Sequence, residues 1–187
     1  MDFPFQSKKI KIVLIAVLIF CGVASRLLPH PFNFTPITAI TLFVASYFGI
    51  RYSLVTLFGI MLLSDLYIGF YGWEMMLIVY SSFALVSLFG FFIKKQKVET
   101  ILLNTLVASL SFYLITNWAV WQFGSLYEHS LLGLLQSYTA AIPFFKNSLA
   151  GDIFFTTVLF GSVYVVHKLH RLGLSRFFYK RKILQQL

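Results

Sequence analysis

The sequence predicts an all-α, polytopic membrane protein: six transmembrane helices, both termini cytoplasmic, and a short interfacial or re-entrant helix before the last span. Three observations predict it. Apolar residues make up 59% of the 187 and charged residues 11%, with a mean hydropathy of +0.84. A soluble domain carries about 25% charge because its surface faces water, and six acidic residues cannot solvate a body of this size. The apolar residues fall into runs that approach the roughly 20 residues needed to cross hydrocarbon. The 15 basic residues lie in short groups between those runs, as they do when Lys and Arg mark a cytoplasmic side. The net charge of +9 therefore reads as a topology signal rather than a nucleic-acid footprint. One Cys excludes a disulfide framework within the chain, and no Cys/His pattern suggests a metal.

The spans are expected at Ile10–Leu28, Pro36–Ile50, Tyr52–Phe70, Glu74–Ile93, Glu99–Phe123 and Lys146–His167 in a single domain of residues 1–187. Lys8, Lys9 and Lys11 before the first run imitate a signal peptide, with Val23-Ala24-Ser25 as a loose cleavage site. The rest of the chain is equally apolar, so an uncleaved first span is the simpler expectation. The second run is short, about 21 Å at 1.5 Å per residue, and is expected to be tilted, partial or mismatched. Thr35 is placed to cap it and Pro36 suits the first helical position. Ser130–Ile142 is apolar but too short to span, and forms the expected interfacial or re-entrant piece.

An inward N-terminus places Lys8, Lys9, Lys11, Arg51, Lys94, Lys95, Lys97, Lys168, Arg171, Arg176, Lys180, Arg181 and Lys182 in the cytoplasm, leaving Arg26 and Lys146 outside. Residues 168–187 become a basic cytoplasmic tail beside anionic lipid headgroups.

Costly polar residues then locate a site. Counted from the cytoplasmic ends, Arg26 lies about 24 Å up the first helix, Asp65 about 20 Å up the third and Asn117 about 27 Å up the fifth. Asp152 lies about 9 Å below the outer end of the sixth. In a core about 30 Å thick, all fall in or near the outer third. A proton relay or ion pore needs polar groups across the whole thickness. The asymmetry instead favours an outward pocket. Tyr113, Asn117 and Trp121 lie at i, i+4 and i+8, one face of the fifth helix, and supply an aromatic wall.

Other roles compete at each position. Trp73, Trp118, Trp121 and Tyr127 also suit an interfacial belt, and Arg26 suits snorkelling. Asp152 suits a structural pair with Lys146 or Arg26, and Asn117 suits interhelical bonding. The motifs of hydrolases, zinc proteases and nucleotide-binding loops are missing from the sequence, so no catalytic residue, cofactor or metal is expected.

The segments Arg26-Leu-Leu-Pro-His-Pro-Phe-Asn-Phe-Thr-Pro-Ile37, Leu63-Ser-Asp65, Thr116-Asn-Trp118 and Ala141-Ile-Pro-Phe-Phe-Lys-Asn147 with Gly151-Asp152 resemble the DUF6580 family of bacterial proteins associated with transport. That family is in turn similar to the substrate-binding S components of energy-coupling factor (ECF) transporters. The resemblance implies a vitamin-binding or related micronutrient-binding subunit in the bacterial inner membrane. Its partners would be an ECF coupling subunit and two ATPases. The residues matching family motifs are Arg26, Asn33, Asp65, Asn117, Asn147 and Asp152. Many S components carry Ala-x-x-x-Ala in the first helix; here that register reads Ala16-Val-Leu-Ile-Phe20. Cys21 and Ser25, or Ala45 and Gly49, offer small-residue alternatives. Two further functions remain open: a membrane scaffold or assembly factor, and an intramembrane enzyme using Asp65 and Asp152 as acid and base.

Overall fold

Helix boundaries follow from residues that cannot continue a helix. The computed structural model of the protein describes residues 7–93 and 97–184, with side chains described through residue 169. Lys94 and Lys95 of the expected cytoplasmic set, and the side chains of Arg171, Arg176, Lys180, Arg181 and Lys182, lie outside the described part. The first helix, α1 (Lys8–Leu27), ends where Leu28 takes an extended conformation, as a residue before proline prefers. The next, α2 (Ile37–Phe48), stops at Gly49, whose φ of 93° suits glycine and turns the chain directly into α3 (Ile50–Ile68). Gly69, at φ 107°, ends α3. The remaining helices are α4 (Trp73–Phe92), α5 (Val98–Phe123) and α6 (Leu131–Leu184). Glu74 and Glu99 sit in the first turns of α4 and α5, where a carboxylate complements the helix dipole.

Among the described residues the fold is all-α. Five helices are long and apolar enough to cross a membrane, and they mark a membrane protein. The sixth, α2, is the short one.

At 12 residues α2 rises only about 18 Å, yet it is the centre of the bundle. It packs against each of the other five helices, and every residue from Ile37 to Ala45 is buried. Burial along this whole run places α2 among the other helices rather than against lipid. Gly90 of α4 permits the close approach. A Cβ built there would lie 2.8 Å from the Leu42 carbonyl oxygen and 2.6 Å from the Ala45 Cβ. Ser53 of α3 ties the same region together. Its hydroxyl donates to the Thr41 carbonyl at 2.8 Å and bonds the Ser87 hydroxyl at 2.9 Å, as polar residues do where no water competes.

Two expectations need correction. Thr35 does not cap α2: Pro36 occupies the N-cap position and no side chain caps the helix. Ser130–Ile142 is helical, but it is not a separate element. It forms the first turns of α6, which runs unbroken past Pro143 and the expected start at Lys146. Proline removes one backbone donor, which costs a hydrogen bond. Breaking the helix would free several backbone groups with no water to receive them, so continuing costs less. The long α5, about 39 Å for its 26 residues, lies beside this stretch and bonds to it.

Candidate functional site

The shortness of α2 leaves space between its N-terminus and the chain that enters it. A cavity of about 410 Å³ occupies that space. Every helix contributes to its wall. Arg26 comes from the end of α1; His30, Asn33 and Thr35 from the following loop; and Ile37 and Thr38 from the start of α2. Met61 and Ile68 of α3, Val79 and Phe83 of α4, Phe112 and Thr116 of α5, and Ser148 and Asp152 of α6 complete it. The loop is held over the cavity by its phenylalanines. Phe32 meets Phe144 edge-on at 6.1 Å, and Phe34 meets Phe155 at 5.3 Å. Gly151 lets α6 come close: a Cβ there would lie 3.2 Å from the Phe34 Cα. Between them stands Asn33 with a φ of 62°, a left-handed conformation that asparagine tolerates better than most residues. His30 and Asn33 are exposed and form the rim.

Arg26 and Asp65 form an ion pair, Nη1 to Oδ1 at 2.7 Å. Asp65 is 1% exposed, too buried to stand as an unpaired charge. Its second oxygen, Oδ2, accepts a hydrogen bond from the Tyr80 hydroxyl at 2.7 Å. The same Arg26 Nη1 donates to the Ser64 hydroxyl and approaches the Met61 carbonyl at 3.4 Å. Tyr71, in the loop between α3 and α4, registers this cluster. Burial raises the pKa of its phenol, the Asp65 carboxylate raises it further, and Arg26 opposes the change. Asp65 thus fixes Arg26 from behind, while Arg26 itself lines the cavity.

Asp152, 3% exposed, lines the cavity from α6. Its Oδ2 accepts from the Ser109 hydroxyl at 2.6 Å, and Thr38 of α2 also bonds the carboxyl. The structural pairing with Lys146 or Arg26 is not made: Arg26 is taken by Asp65, and Lys146 is exposed. Asp65 and Asp152 hold separate partners and do not bond each other.

Tyr113, Asn117 and Trp121 do share a face of α5, but that face meets the loop before α6 and the first turns of α6 instead of the cavity. The Tyr113 hydroxyl donates to the Tyr138 carbonyl at 2.7 Å. Ser137 donates to the Asn117 carbonyl at 2.8 Å, and the Trp121 indole donates to the Glu128 carbonyl at 2.9 Å. The cavity takes the neighbouring face of α5 through Phe112 and Thr116, also four residues apart. Asn147 is half-buried and stands outside the cavity wall, where its neighbour Ser148 is found. Ser109, Thr116 and Ser148 escaped the sequence reading because hydroxyls in membrane helices commonly bond their own backbone, as Thr116 does to Phe112. The polar side of the cavity is therefore Arg26, His30, Asn33, Thr35, Thr38, Thr116, Ser148 and Asp152, with Phe83 and Phe112 as apolar surface. Among the described residues no three His, Cys, Asp or Glu side chains gather as a metal site would require.

A protein-family model matches residues 6–174; its description is a family of unknown function, DUF6580. No curated protein matches the chain, and neither does any solved structure.

Proposed function

The chain belongs to the DUF6580 family, and on that premise we propose that it is the substrate-binding membrane subunit of a small-molecule uptake transporter. The cavity, open to the outside of a bacterial inner membrane, is its binding site. One observation carries the reading: a cavity of about 410 Å³ at one end of the bundle, walled by every helix and holding two charged side chains. Ligand sites typically measure about 300–1,000 Å³, with apolar walls and a few placed polar groups. The opposite end carries the bases. There Lys11 lies 4.5 Å from the Tyr52 ring and 5.1 Å from the Phe48 ring, a cation held against aromatic faces. The positive-inside rule makes that end cytoplasmic and the cavity end external. A vitamin or related micronutrient is the substrate class that the family resemblance favours. An ECF coupling subunit with its ATPases is the corresponding partner.

Purification in mild detergent followed by mass spectrometry of the extract tests the reading. A stoichiometric small molecule is expected with wild type and with Tyr113→Phe, whose ring lies off the cavity, and is expected to disappear with Thr116→Trp, which fills it. An empty wild-type protein that no small molecule stabilises would sink the proposal. Co-purified ATPases would support the ECF partnership.

A further inference from the structure

The two charged walls of the cavity are differently provided for. Arg26 makes its ion pair and all its hydrogen bonds through Nη1; among the described residues Nε and Nη2 bond nothing. The Nε–Nη2 edge is the fork that grips two oxygens of a carboxylate. Close by, α2 begins with no side-chain cap, and the backbone N–H groups of Ile37, Thr38 and Ala39 have no acceptor among the described residues. Thr35, Ile37 and Thr38 line the cavity, so the positive end of α2 adjoins it. Across the cavity Asp152 is the reverse case. It is a carboxyl 3% exposed, with hydroxyl partners and no cationic partner among the described residues. Phe83 and Phe112, their ring centroids 4.3 Å apart, form apolar wall surface.

We propose that the cavity takes a small ampholyte: a molecule with a carboxylate for Arg26 and the start of α2, and a protonated or N–H-rich nitrogen for Asp152. Its apolar middle lies against Phe83 and Phe112. The inference rests on the cavity being a ligand site and narrows the substrate class. A simple anion leaves Asp152 without a counter-charge. A simple cation covers the Arg26 donors and the three backbone N–H groups without satisfying them. An ampholyte answers both ends. At about 410 Å³ the cavity lies in the size range of small-molecule sites.

Thermal-shift measurement on the detergent-purified wild type, against a broad metabolite panel sorted by charge, tests the class directly. The panel includes scaffold-matched sets such as tryptophan, tryptamine and indole-3-propionate, or phenylalanine, phenethylamine and 3-phenylpropionate. The stabilising compounds are expected among the ampholytes. Affinity for the best of them is expected to fall about tenfold or more in Asp152→Asn, which keeps the side-chain shape, and in Arg26→Lys, which keeps the charge but loses the fork. Stabilisation by anions, cations or neutral compounds equal to that by ampholytes would overturn this inference and leave the ligand site standing. Unchanged affinity in both variants would do the same. No stabilising compound in any class would remove both the ampholyte and the transport reading.

Discussion

Asp65 shows why a costly residue in a membrane helix need not itself touch a ligand. Its depth in the sequence marked it as functional or as the partner of a functional base, and the structure assigns it to Arg26. Removing one member of a buried pair strands the other, at a cost of about 3–5 kcal/mol, whereas replacing both with apolar residues is often neutral. Asp65→Leu is therefore expected to lower stability by that amount. The double variant Arg26→Met/Asp65→Leu should recover most of it while losing ligand. Unfolding in detergent measures both. A double variant no more stable than Asp65→Leu would show that the pair is not the source of the loss. The charged residues of the site were legible because charge in an apolar run is conspicuous. Its hydroxyls were not, since a membrane-helix Ser or Thr most often bonds its own backbone, as Ser109 also does.

Among the elements, α2 controls the cavity, and its position depends on close packing. The contact between α2 and α4 requires Gly90, because an added methyl would meet the Leu42 backbone, which cannot rotate away. Gly90→Ala is expected to cost about 1–3 kcal/mol, the usual range for overpacking, and to weaken ligand binding by displacing α2. Gly161→Ala is the control, since nothing lies within 4 Å of a Cβ there. Equal melting temperatures for the two variants would contradict the packing account. The stripe of Tyr113, Asn117 and Trp121 carries a related lesson. Spacing identified a shared face correctly, but a face carries no label for the neighbour it meets. The first turns of α6 claimed it because that helix continues through Pro143.

Over the whole molecule, charge and polarity separate toward opposite ends. Arg26, Asp65 and the start of α2 lie at the cavity end, while Lys8, Lys11 and the end of α2 lie at the other. The outward orientation of the cavity is testable by labelling in a Cys21→Ser background. A membrane-impermeant maleimide is expected to label His30→Cys in intact cells and Arg51→Cys only after permeabilisation. Both positions are exposed, so a reversed pattern would reverse the orientation.

Sequence alone determined the apolar spans, most of their ends and the separation of Arg26, Asp65 and Asp152 from the basic clusters. These are properties of hydropathy, helix rise and backbone-breaking residues, all of which act along the chain. Tertiary structure decided that the shortest helix is central, that Arg26 is bound to Asp65 while Asp152 has hydroxyls alone, and that Thr116 replaces Asn117 at the cavity. Each depends on which helix faces meet, and that is settled by side-chain volumes contributed from several helices at once.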